Sequence, residues 1–277
     1  MWTAQDGRYT LRVDHDRCAT SPRYADTLGR LLIFHQRYGC LGDQHNYDGM
    51  RDFLRKAYTA AIRDNGKALV RYLKQKRAKN AYLAFNRKSR EWELWVYQNL
   101  YDGSGEWAYV KRDSTIGRRL TPDSHIWQEM LRALTDDDLA CLMWELPDCV
   151  LLPIYLYDHE IATISVTPFD CRWDMGRVGW IYASRDALRW AYGKVNRKTL
   201  ELATQRLCSE VDNLASYMRG ECWKYTLHEG NRQIDSCGGF IGDMATCGMV
   251  GYLPEGARHL LKVLEQADSS GSMALAA

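Results

Sequence analysis

The spacing of apolar residues changes repeatedly along this chain, and each change predicts an element. Thr10-Leu11-Arg12-Val13 alternates and predicts a short strand, followed by a loop from Asp14 to Tyr24 marked by Ser21-Pro22. Leu28 to Tyr38 is apolar and aromatic, and period leaves it open between a buried strand and a short helix. Gly39 to Gly49 is a polar turn region. From Asp52 to Lys79 the spacing is mostly helical, with Phe53, Leu54, Ala57, Tyr58, Ala61 and Ile62 on one stripe. Asn65-Gly66 interrupts it, and a second helical stretch, Lys67 to Lys79, follows. Ala81 to Val110 is different: Tyr82, Phe85, Trp92, Trp95, Tyr97, Trp107 and Tyr109 lie between turn signals at Asn86-Arg87 and Asp102-Gly103. This predicts two or three short antiparallel strands.

Two helices are expected next. One is led by Thr121-Pro122-Asp123-Ser124 and runs to about Leu134. The other starts at Thr135, a good N-cap with three aspartates behind it, and ends before Pro147. Val150 to Tyr157 and Ile161 to Thr167 read as a hairpin around Asp158-His159-Glu160. Gly179 to Ala183 reads as a strand, and Ser184 caps a helix closed by Gly193. Arg197 to Met218 is the longest predicted helix, stopped by Gly220. Trp223 to Leu227 pairs with Gln233 to Phe240 across Glu229-Gly230-Asn231, and Ala257 to Gln266 forms a last helix. The tail from Asp268 to Ala277 reads as frayed. Strands joined by hairpins, without regular alternation with helices, point to an α+β fold with a mainly antiparallel sheet and flanking helices.

Composition narrows the class. Apolar residues make up 46% and charged residues 26% of 277, which excludes disordered and collagen-like chains. No run approaches the roughly 18 apolar residues of a membrane span, and Met1 to Asp6 lacks an apolar leader core. The expectation is a soluble protein without membrane partners. The cysteines, an odd nine, contain no CxxC pair, so a zinc ribbon is not expected and reduced thiols are.

Charge divides the chain. Between Arg51 and Leu120 there are 17 Lys/Arg against 7 Asp/Glu, a local +10 in a chain of net +2, so the remainder carries −8. With its aromatic content, this sets off residues 51–149 as an inserted helical and β-hairpin domain. The flanks, 1–50 and 150–277, would form the common α+β core domain.

The flanks also carry a resemblance. Leu41-Gly42-Asp43-Gln44-His45 is one block. Tyr155-Leu156-Tyr157-Asp158-His159, Thr163-Ile164-Ser165, Pro168-Phe169, Cys171, Trp173-Asp174 and Gly176 make a second. Asp235-Ser236-Cys237-Gly238-Gly239-Phe240-Ile241-Gly242 is a third. Together they resemble a family of small accessory proteins of bacteriophages and prophages, over roughly residues 10–50 and 150–243. Relatives have a shorter segment between the first two blocks, in keeping with an insertion. Two positions depart from the family: Met175 replaces a serine and Gly238 a tryptophan, so a hydroxyl and an indole are missing here. The resemblance implies an accessory protein in the cytoplasm of an infected or lysogenic host, blunting defence or redirecting a host enzyme.

Three constellations are candidates for chemistry. His35, Asp43 and His45 with Asp158, His159, Asp174 and Asp235 are the residue types a divalent ion needs for hydrolysis, with Asp158, His159 and Asp174 the catalytic candidates. Equally, Asp158-His159 serves as a hairpin turn. Cys171 and Cys237 are candidate nucleophiles, against the plainer reading as packed thiols. The basic run with Lys74, Arg77 and Lys79 precedes Trp92, Trp95, Tyr97, Trp107 and Tyr109. That combination suits a protein interface, nucleic-acid stacking or a core. There is no P-loop and no GxGxxG, so no cofactor is expected. The leading expectation is a binder, leaning away from an enzyme, whose partner is a bacterial host protein or complex, such as a defence component. A metal-dependent hydrolase and a nucleic-acid-binding protein are the alternatives, and self-association is compatible with the frame.

Overall fold

The computed structural model describes residues 1–62, 66–101, 103–117, 124–171 and 173–264. The expected signals at Asn65, Asp102, Thr121 to Asp123 and the tail from Asp268 lie outside these. The fold is α+β with antiparallel strand pairs. The chain forms two compact units, one of residues 1–27, 153–178 and 206–277, the other of 28–152 and 179–205.

The first unit is built on a four-stranded sheet of order β1-β2-β10-β11. Its strands are β1 (Trp2–Gln5), β2 (Tyr9–His15), β10 (Cys222–Glu229) and β11 (Arg232–Ile241). Strand β1 is not among the predicted strands, although Trp2-Thr3-Ala4-Gln5 alternates apolar and polar residues; β2 supplies its hydrogen bonds. The inward row of Leu11, Val13, Tyr225 and Leu227 meets Met249, Leu253, Leu260 and Leu261, all buried, the last two on helical residues 258–264. Gly238 leaves room for the Asp16 carboxylate, which accepts the Gly239 N–H at 2.8 Å. Here too lies the hairpin of β7 (Val150–Tyr157), most of which belongs to this unit, and β8 (Thr163–Ser165), shorter than expected.

The second unit begins at β3 (Arg30–Ile33), which settles the open choice at Leu28 to Tyr38 as a strand. It pairs with β9 (Met175–Ala183) over residues 179–182. A Cβ on Gly179 would overlap the Leu32 carbonyl oxygen, so this pairing needs glycine there. Helices α1 (Met50–Ala61), α2 (Lys67–Lys74), α3 (His125–Arg132) and α4 (Asp136–Trp144) surround a core with Phe53, Tyr58, Leu69, Trp127 and Leu139. Leu32 and Trp180 belong to that same core. This unit therefore extends beyond 51–149 on both sides, because the buried apolar faces of β3 and β9 are completed by the helices.

Helix α2 stops at Lys74 rather than Lys79. Lys76 takes a left-handed conformation, φ 54°, while the Lys76 N–H bonds Leu73 O and the Arg77 N–H bonds Tyr72 O. These two bonds form the motif that ends many helices. Helices α5 (Arg185–Tyr192) and α6 (Arg197–Met218) follow as expected, Ser184 capping the first through the Ala187 N–H. Among the described residues no helix is long and apolar enough to cross a membrane.

Candidate aromatic face and the polar loops

Strands β4 (Ala81–Asn86), β5 (Glu91–Asn99) and β6 (Gly105–Asp113) form a three-stranded antiparallel sheet in the second unit. Alternation assigns its side chains to two faces. Ala81, Leu83 and Leu94 are buried in the core, and Val96 and Trp92 pack against it. Trp92 is thus on the core side, unlike the other aromatics expected at a contact surface. It is a packing residue that strand parity separates from Trp95.

The opposite face carries Tyr82, Trp95 and Tyr109 in one cross-strand row and Tyr97 and Trp107 in the next. A bulge between Leu94 and Trp95 shifts the register so that both rows align. The rings form one continuous patch: Tyr82 lies 4.8 Å from Trp107 and 6.2 Å from Trp95, Trp95 lies 6.0 Å from Tyr109, and Tyr97 lies 5.4 Å from Trp107. Tyr97 rests against Gly105, where any Cβ would collide with its ring. Trp107 is 42% and Tyr109 47% exposed, large values for side chains that could have been core. Tyr82 joins the patch without being among the expected contact residues; its alternation with Ala81 and Leu83 is the sequence signal that marks it.

The two ends of this face differ electrostatically. At one end the buried Glu93 accepts from Asn86 at 2.8 Å and Arg112 at 2.7 Å, and these bonds hold its carboxyl below the usual range. At the other end the Lys76 ammonium sits 4.8 Å over the Tyr82 ring. Lys76, Ala78, Lys79, Ala81, Tyr82 and Trp107 line a shallow depression of about 330 Å3.

The basic run is not a free charged face. The Lys74 side chain is exposed, yet its ammonium lies 3.8 Å over the Trp92 ring, where desolvation pulls its pKa down. Arg77 is held by Glu145 at 2.6 Å. Lys79 approaches Asp137 only at 3.8 Å, with both side chains exposed. Of the three basic residues expected to bind, Lys79 keeps the most open position.

The polar candidates fall into both units. In the second, Asp43 accepts the Leu31 N–H at 2.8 Å and returns its own N–H to Leu31 O, tying the following loop to β3. His45 packs 4.7 Å from Phe34 and accepts the Tyr47 N–H, and His35 lies 5.3 Å from Tyr38. In the first unit, the Asp158 N–H donates to Asp174 O at 3.1 Å, which brings these two loops together, and His159 stacks on Tyr157. Asp235 accepts the Tyr225 hydroxyl at 2.7 Å. The Asp158–Asp174 contact is between backbones, and the His35 Nδ1 is buried. Among the described residues, no group of three or more His, Cys, Asp or Glu is placed to hold a metal ion.

The Cys171 thiol is 3.9 Å from the Asp174 carboxylate, and Cys237 contacts the Gly238 carbonyl. A thiolate needs a cationic or imidazole neighbour, and both contacts are with oxygen acceptors. Compared with protein-family models, curated proteins and solved structures, the chain matches none.

Proposed function

We propose that this protein is a binder rather than a catalyst and that the outer face of β4, β5 and β6 is its contact surface. It would act as a phage or prophage accessory protein in the bacterial cytoplasm, engaging a host macromolecule, a defence component foremost. The observation that carries this reading is the ring patch itself. Tyr97, Trp107 and Tyr109 stay over a third exposed while Ala81, Leu83 and Leu94 on the reverse face of the same sheet are buried in the core. Tryptophan and tyrosine dominate binding energy at contact surfaces because they bury large areas at small entropic cost. The alternative of a metal-dependent hydrolase has less support, since no group of three or more His, Cys, Asp or Glu among the described residues is placed to hold a metal ion.

The reading is tested by capture from bacterial lysate. Tagged protein is expected to retain a stoichiometric partner. Trp95→Ala with Tyr109→Ala should lower its recovery at least tenfold with the melting temperature preserved, because removing hot-spot aromatics costs about 2 kcal/mol or more each. Unchanged recovery would sink the assignment of the face.

A further inference from the structure

The chemistry of the partner is legible at the lysine end of the outer face; the inference rests on that face being the contact surface. We propose that the depression between the α2–β4 connection and Trp107 holds one nucleotide of a single-stranded nucleic acid. The base lies against the Trp107 and Tyr82 rings, and the neighbouring phosphates lie on Lys76 and Lys79.

Charge complementarity selects this ligand. The depression is lined by two lysines, two aromatic rings and two alanines, with no acid among its lining residues. The acids of the sheet's outer face are committed elsewhere: Glu93 bonds Asn86 and Arg112, and Glu91 faces Arg112 at 3.6 Å. The exposed contact of Lys79 with Asp137 is of a kind worth little in water and easily exchanged for phosphate. About 330 Å3 falls within the range of small-ligand sites.

The backbone fixes where Lys76 sits. Its φ of 54° is a conformation glycine adopts freely and other residues adopt at a cost. With the helix ended there, the Lys76 ammonium is placed over the Tyr82 ring at the mouth of the depression. Beyond Trp107, the row of Tyr82, Trp95 and Tyr109 continues the aromatic surface across the sheet, giving the next bases of a strand rings to meet. Unpaired bases offer their π-faces to such a surface, and paired bases within a duplex do not.

The test is a fluorescence-anisotropy titration of the full-length protein with a short labelled oligothymidylate over a range of salt. Binding is expected to weaken as salt rises. Lys76→Gln with Lys79→Gln should make the slope of log affinity against log salt shallower by about 1.4, two single-strand phosphates' worth. Trp107→Ala should weaken binding by about tenfold or more, and Trp107→Phe should keep most of it. Trp173→Ala, an exposed indole of the other unit, should change nothing. Thermal melting of each variant establishes that it folds. The proposal is overturned by absent binding at low salt, by wild-type affinity in Trp107→Ala, or by a polyglutamate peptide that competes as well as the oligonucleotide. If it is overturned while lysate capture still depends on Trp95 and Tyr109, the contact surface stands and its partner is a protein.

Discussion

Lys76 and Gly220 end two helices with the same pair of hydrogen bonds. After α6 the Gly220 N–H bonds Tyr217 O and the Glu221 N–H bonds Ser216 O, with Gly220 at φ 76°, where α2 uses a lysine. Gly220 has open space around it, so Gly220→Ala should cost only its backbone strain, about 1 kcal/mol in chemical denaturation. Gly179→Ala should cost about 3 kcal/mol or more, because the added methyl overlaps Leu32 O and forces β3 and β9 apart. The cysteines separate as sharply. Burial, with the charge of Asp148 beside it, pushes the Cys149 thiol up to about 12, while Cys18 and Cys40 are exposed. Brief iodoacetamide treatment followed by mass spectrometry should find Cys18 and Cys40 labelled and Cys149 intact until the protein is unfolded.

At the scale of elements, the helix caps were legible and their wider connections were not. Thr135 and three aspartates announced the start of α4, and the structure holds both arms of a capping box between Thr135 and Asp138. The sequence did not reveal that the buried Asp138 also accepts the Tyr72 hydroxyl of α2 at 3.1 Å. Asp138→Ala should therefore cost more than a lost cap, about 2–4 kcal/mol, since a buried hydroxyl is orphaned as well. Tyr72→Phe in that background should recover part of the loss, and a double-mutant cycle would measure the coupling. The aromatic sheet shows the same division. Its strands followed from alternation and turn residues, yet which aromatics faced outward depended on the core beneath and on the bulge at Leu94 and Trp95. Trp92 and Trp95 are alike in the sequence, and strand parity gives them opposite roles.

For the whole molecule, two expectations concern stability. Among the described residues, hydrogen bonds hold four carboxyls below their ordinary range: Asp6 beside the Tyr9 N–H, Asp52 beside Lys56, Glu93 beside Asn86 and Arg112, and Glu221 beside Arg219. A carboxyl whose folded pKa is depressed adds stability above its unfolded pKa and loses it as pH falls through the folded value. Melting temperature should thus decline below about pH 4, and Glu93→Gln should flatten that decline. The second concerns organisation. Replacing 51–149 by a short linker should leave a protein without a cooperative melt, because Leu32 and Trp180 would lose the core they share with Phe53, Trp127 and Leu139. The local hydrophobic period, the caps and the charge imbalance were properties of neighbouring residues, so the sequence by itself determined the elements, the α+β class and an unusual middle region. The limits of the compact units, the seating of Lys74 on Trp92 and of Arg77 on Glu145, and the meeting of Lys76 with Tyr82 and Trp107 depend on residues distant along the chain or on the face a strand presents. Only the tertiary structure decided those, because burial and pairing are set by packing rather than by sequence spacing.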